Sequence, residues 1–294
     1  MKPGSVPDPE SGTDHVFPMN LVLQAPDLRN EQVTEIARLA GTGRVEPVSS
    51  RAYRLRDAVR NEAIAPYCES RRIDYAFIPE GRRFADLKLL AMDMDSTLIT
   101  IECIDELGDL AGKKAEIAAL TAQAMRGEIE YRESLRRRVA ALAGLPETSL
   151  NEVYEERLKL TAGADTLIAA CRKHGVKLLL VSGGFTFFTE RLKSRLELDY
   201  TISNVLEVKG GKLTGALIGE IVDADAKAKR FLQVAAQLGA QKEHTVAIGD
   251  GANDLKMMNE AGLSVAFRAK PVVRAQASCA LNWTGLDGVA NLFE

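Results

Sequence analysis

The chain has 294 residues and a mass of 32.0 kDa, enough for about two domains. Hydrophobic residues make up 46% and charged residues 27%, the balance of a soluble globular protein, and 38 basic against 41 acidic side chains give a net charge of −3, which argues against a nucleic-acid partner. No apolar run approaches the ~20 residues of a membrane helix, and no apolar stretch follows a basic start, so neither a membrane partner nor export is expected.

Residues 1–15 are rich in proline, glycine, serine and aspartate and predict a flexible tail. Residues 16–82 carry the pattern of a small α+β domain. NLVLQA at 20–25 predicts a strand. Val33, Ile36 and Leu39 share one face of a helix over 30–41 that Gly41 ends. The loose alternation of 44–55 predicts one or two strands, and 60–73 predicts a helix whose continuity Pro66 threatens. DYAFIPEG at 74–81 predicts another strand. The order β-α-β-(β)-α-β suits a ferredoxin-like module. GRRFAD at 81–86 predicts a polar connection.

The second part opens with a strand at 88–92, inside DLKLLAMDMDST. Residues 102–160 predict helix almost throughout. Strands and helices then alternate: a helix over 166–175, a strand over 176–181, a helix over 188–198, a hairpin over 202–222 turning at Gly210-Gly211, a helix over 225–239, a strand over 244–250, a helix over 253–262 and a strand over 263–267. Alternation of this length predicts βαβ units and a doubly wound parallel sheet, an α/β fold covered on both faces.

Ligands of open α/β sheets sit beyond the carboxyl ends of the strands. Three strand ends there carry polar groups. The first ends in Asp93, followed by Asp95, Ser96 and Thr97. The second ends in Ser182-Gly183-Gly184, and the third in Asp250, followed by Gly251, Asn253 and Asp254. Asp93, Asp95, Asp250 and Asp254 crowd four carboxylates into one cleft, and like charges at such range raise their pKa values or demand a cation. Oxygen donors without His or Cys select a hard ion, Mg²⁺ above all. The glycines after Ser182 admit an anion to backbone N–H groups, and Lys227 supplies a positive charge. Three scattered histidines exclude a zinc cluster, and four cysteines without a CxxC pair suit a reduced cytoplasm.

The order DMDST, VSGG, Lys227, GDGAND resembles the four-motif set of the haloacid dehalogenase-like phosphatases, and ECIDEL at 102–107 and YRESLRRRV at 131–139 extend the resemblance over about 87–285. The resemblance implies a catalytic core over 86–101 and 162–294, a small helical cap over 102–161, and Mg²⁺-dependent hydrolysis of O-phospho-L-serine to serine and phosphate, the last step of serine biosynthesis. It implies Asp93 as the nucleophile that forms an aspartyl-phosphate, and Asp95 as general acid and base. Mg²⁺ would rest on Asp93, the Asp95 carbonyl and Asp250, with Asp254 in support. Ser182, Gly183, Lys227 and Asn253 would hold the phosphoryl group. Glu102 would receive the substrate ammonium and Arg138 its carboxylate, with Met125 and Tyr131 as cap contacts, Tyr131 standing where the family has Phe. The N-terminal module resembles amino-acid-binding (ACT-like) regulatory domains, which implies serine sensing or a homodimer.

Plainer roles stand beside these. Ser182 suits a helix N-cap. Lys227 lies close to Lys229 and Arg230 and suits a solvated face. Glu102 in a first turn is favourable through the helix dipole alone. Of Arg136, Arg137 and Arg138, 100° apart on a helix, only one can aim at a given ligand. Asp105 and Glu106 read as surface charges. The rival activities are a related phosphatase or phosphotransferase for another small phosphomonoester, and a receiver that signals through a phosphorylated aspartate. Asp95 argues against the receiver, because a water-activating base shortens the life of such an intermediate.

Overall fold

The computed structural model describes residues 19–294, so the expected tail over 1–15 lies outside the described residues. The N-terminal part is β1 (Met19–Gln24), α1 (Asn30–Leu39), β2 (Val45–Ser49), β3 (Ala52–Leu55), α2 (Ile64–Ser70) and β4 (Asp74–Pro79). Its antiparallel sheet has the order β2-β3-β1-β4, the ferredoxin-like arrangement. Leu21, Leu23, Ile36, Leu55, Ile64 and Cys68 fill the layer between sheet and helices. Pro47 is confined to β2 at the sheet edge, where a missing donor costs least. Pro66 falls in the first turn of α2, where its nitrogen needs no partner, so the helix is shorter than the 60–73 expected.

The second part comprises β5 (Leu89–Met92), α3 (Cys103–Leu110), α4 (Lys114–Met125), α5 (Tyr131–Ala140), α6 (Thr148–Glu152), α7 (Ala164–His174), β6 (Lys177–Phe185), α8 (Thr186–Leu196), β7 (Tyr200–Lys209), β8 (Lys212–Ile218), α9 (Ala224–Gln237), β9 (Thr245–Gly249), α10 (Leu255–Glu260), β10 (Leu263–Phe267), α11 (Pro271–Arg274) and β11 (Cys279–Leu281). The sheet order is β11-β10-β9-β5-β6-β7-β8, parallel except for β8. The central strand β5 is buried on both faces, with Leu90 and Met92 in one apolar layer and Leu89 and Ala91 in the other. The β7–β8 hairpin turns at Gly210 and Gly211, both with positive φ, as a two-residue turn matching strand twist requires. The helical insertion α3–α6 is tied back by a bridge between Ile99 and Leu160 and another from Pro146 to Lys212 on the hairpin.

Residues 81–86 are not the polar connection expected. Phe84 is buried edge-on against His174 and Phe293. The back face of the first sheet, through Val22, Ala76 and Ile78, joins the same apolar cluster as Leu286, Val289 and Phe293. Polar side chains lock this seam. The buried Asp74 carboxylate accepts the backbone N–H groups of Asn282, Trp283 and Thr284 at 2.7–3.0 Å and the Thr284 hydroxyl at 2.8 Å. Gln24 donates to the Gly288 carbonyl at 3.1 Å, and Arg54 donates to the Phe293 carbonyl at 2.5 Å.

Candidate active site

Parallel pairing puts the ends of β5, β6 and β9 on one edge, and β5 lies between the other two. Asp93 leaves the central strand with its N–H still donating to the Ile248 carbonyl at 3.0 Å. The chain then turns sharply. Asp95 is extended and Ser96 is left-handed at φ +57°, a conformation that costs a non-glycine residue energy and is kept where the surroundings enforce it. One Asp95 oxygen accepts the Cys103 N–H at 3.0 Å, at the start of α3.

Three carboxylates, from Asp93, Asp250 and Asp254, lie with their nearest oxygens within 4.8 Å of one another. Lys227 comes up from α9, wholly buried, and donates to Asp93 Oδ1 at 2.5 Å and Asp254 Oδ1 at 2.8 Å. Asp254 also accepts the Gly251 N–H at 3.1 Å. The solvated-face reading of Lys227 is thereby excluded. Burial opposes the ammonium charge, but Asp254 and Asp93 outweigh it and hold Lys227 above the usual lysine range. Burial pushes the Asp93 carboxyl well up. Lys227 pulls it back, and the neighbouring carboxylates add to the rise. Asp95 is pushed up to about 7 by burial and by Glu102. Asp250 also reaches about 7, through burial and Asp254. Four crowded carboxylates against one ammonium, with oxygen donors only, fit a hard divalent cation.

A cavity of about 590 Å³ opens above this cluster, between the sheet edge and the helical insertion. Asp93, Asp95, Gly183, Asp250 and Asn253 line its floor side. Glu102, Met125, Tyr131 and Arg138 line it from the insertion. Glu102 accepts the Ser96 hydroxyl at 2.6 Å. Arg138 has a buried Nε with no hydrogen-bond partner among the described residues. Met125 is 63% exposed at the mouth.

Two residues expected to touch the phosphate do not themselves line this cavity. Ser182 is wholly buried outside the cavity wall, and its hydroxyl accepts the Gly184 N–H at 2.8 Å, so it braces the turn instead of capping α8. Lys227 also lies behind the wall, paired with the acids. Gly184 takes its place on the surface, where a methyl would meet Asp95 Oδ2 at 2.8 Å, so only glycine lets β6 approach Asp95 so closely. Glu106 is not a free surface charge, since it accepts from Arg157 at 2.7 Å. Burial raises the Asp105 carboxyl, against Arg138.

Sequence reasoning overlooked several lining residues. Arg132 and Asp223 face each other across the mouth at 2.5 Å, and Asp223 caps α9 by accepting the Ala226 N–H at 3.0 Å. Lys270 also lines the cavity, and its backbone N–H donates to the Asp250 carbonyl at 3.2 Å. It follows the fourth strand end, β10, so the same strand-end search carried one strand further finds it.

A sequence profile described as haloacid dehalogenase-like hydrolase matches residues 90–259, from within β5 to within α10. The chain belongs to the haloacid dehalogenase-like hydrolases. A second profile, described as a domain of unknown function, matches residues 21–64. Among members of the hydrolase family, a phosphoserine phosphatase of Polaromonas sp. is 55% identical over 215 residues, covering 71% of this chain and 91% of its own length. The crystal structure of a probable phosphoserine phosphatase from Vibrio cholerae, in unliganded form, superposes with a TM-score of 0.81 at 38% identity, over 93% of this chain and 85% of that one. A phosphoserine phosphatase structure described as a phospho-aspartyl intermediate analogue superposes with a TM-score of 0.67 at 38% identity, over 71% of this chain and 99% of that one. The family fold accounts for the doubly wound core and its helical insertion.

Proposed function

We propose that this hydrolase cleaves O-phospho-L-serine to L-serine and phosphate. The observation that carries the reading is one cavity with a carboxylate (Glu102) and a guanidinium (Arg138) on its upper wall above the Asp93–Asp95 pair. A substrate with an ammonium, a carboxylate and a phosphate matches all three, and a guanidinium fork suits a carboxylate. The relatives named phosphoserine phosphatase support the same substrate.

Asp93 is assigned as the nucleophile. Its carboxylate bonds to phosphorus as the bond from phosphorus to the serine oxygen breaks, and Asp95 gives that oxygen a proton. Water then attacks phosphorus, Asp95 takes its proton, and Asp93 leaves. A carboxyl raised to about 7 suits both duties near neutral pH. Lys227 orients Asp93 and offsets part of the repulsion between carboxylate and phosphate. The backbone at Gly183 and Gly184, together with Asn253, is assigned to the phosphoryl oxygens. Mg²⁺ held by Asp93, Asp250 and the Asp95 carbonyl, with Asp254 behind, would supply the remaining positive charge. The helices over 102–161 act as a cap that excludes water from the reaction. We assign the protein to the cytoplasm, where its four unpaired, buried cysteines stay reduced. Among the described residues no helix is long and apolar enough to cross a membrane.

The test is phosphate release from a panel of phosphomonoesters, with and without EDTA. Mg²⁺-dependent preference for L-phosphoserine is expected, and Asp93→Asn should lower it by roughly 10⁴–10⁶-fold. Preference for another ester would discard the substrate and keep the chemistry. The N-terminal domain is assigned to serine sensing or to a homodimer. A monomer's sedimentation coefficient at every protein concentration, with a rate indifferent to serine, would discard both.

A further inference from the structure

We propose that the Tyr131 phenol is a hydrogen-bond donor to the phosphoryl group, reaching it from the cap side over Gly183. The inference rests on the phosphomonoester reading of the cavity. Tyr131 is the first residue of α5, and its ring packs on the main apolar cluster. The ring leads the hydroxyl down to the β6 turn. A methyl group on Gly183 would overlap that hydroxyl, while the ring carbon that carries it would stay 3.6 Å away. Glycine at 183 therefore makes room for one polar atom, not for a ring. Gly183 itself is held in place, since its carbonyl accepts from Asn204 at 2.8 Å and Asn204 in turn accepts the Val222 N–H at 2.8 Å.

Packing alone does not explain the hydroxyl. Tyr131 is only partly buried, its ring packed and its polar end turned to the cavity, where a tyrosine hydroxyl ordinarily meets a partner. Tyr131 has no hydrogen-bond partner among the described residues and lines the cavity. Lys227, Arg138, Asp93 and Asp254 are the charges within its electrostatic reach. Burial keeps the phenol protonated, so the atom it presents is a donor. A donor beside the Gly183 backbone, in the same cavity that Asp93 lines, is placed to meet a phosphoryl group bound there.

Tyr131→Phe keeps the ring and removes the donor. We expect inorganic phosphate to inhibit this variant roughly ten- to a hundredfold less tightly, the loss of one hydrogen bond to a charged group. The Michaelis constants of phosphoserine and of a plain alkyl phosphate should rise by the same factor. Unchanged phosphate inhibition overturns the proposal. A loss confined to phosphoserine also overturns it, because the hydroxyl would then serve the substrate carboxylate beside Arg138. Gly183→Ala supplies a second arm. The added methyl meets only the hydroxyl, so its penalty should shrink in the Tyr131→Phe background, and an equal penalty in both backgrounds refutes the placement. Phosphate binding by calorimetry keeps these results readable even where the substrate turns out to be another ester.

Discussion

Two regions flank the catalytic sheet, and they are joined to it by different means. The N-terminal sheet meets the core through a continuous apolar layer and buried polar side chains, Asp74, Gln24 and Arg54, which pair mostly with backbone groups. The helical insertion is pinned at its far end. There Gly144 donates to Leu213, Leu213 to Leu145 and Glu147 to Gly211, at 2.8–2.9 Å. At the cavity the insertion also meets the core through Cys103–Asp95 and Ser96–Glu102 at its first residues, and at the mouth through Arg132–Asp223, with the arginine 53% exposed. One junction resists opening because every buried partner left unpaired costs free energy. The other is closed at the mouth by an exposed ion pair, and such pairs contribute little. The stronger polar lock is at the junction remote from the cavity, and the weaker one is at the cavity mouth.

Substitutions at each junction sharpen this contrast. The largest effect on stability is expected from Asp74→Ala, which leaves three backbone donors and a hydroxyl without their acceptor. A loss of about 3 kcal/mol is expected in denaturant unfolding, with the rate per folded molecule unchanged. A loss below about 1 kcal/mol would show that the seam is apolar in origin. Mg²⁺ at a hundred times its dissociation constant should add ~2.7 kcal/mol to the wild type, and Asp250→Asn should remove most of that gain. The smallest effect on stability, under about 1 kcal/mol, is expected from Arg132→Ala. Its signature should be kinetic: kcat and KM change together and lose part of their dependence on salt. A large fall in melting temperature with unchanged kinetics would make the pair a structural clamp and remove the distinction between the two junctions.

The fold was largely legible because its signals are periodic and local. The βαββαβ order, the hairpin at Gly210-Gly211 and the strand-end carboxylates all follow from spacing and turn chemistry. Phe84 was misread because two arginines beside it suggested solvent, and its partners His174 and Phe293 are remote in sequence. The positions of Ser182 and Lys227 were hidden for a related reason. Each belongs to the site's motif set, but whether a side chain meets the cavity or braces it from behind depends on packing depth, which spacing does not encode. Arg132 was lost in a helix full of charges. Its partner Asp223 falls between the hairpin expected over 202–222 and the helix expected over 225–239, where no motif draws attention to it.

The first seam also imposes an order on the chain's assembly during synthesis. Asp74 must wait for Asn282 and Thr284, about 200 residues later. At roughly 5–20 residues per second, the first sheet can fold on its own helices and then stand for 10 to 40 seconds with Val22, Ala76 and Ile78 uncovered. Nascent chains stalled between residues 80 and 280 should therefore be the forms that chaperones bind and that aggregate, and the final segment over 282–293, which follows the last strand of the catalytic sheet, ends that exposure.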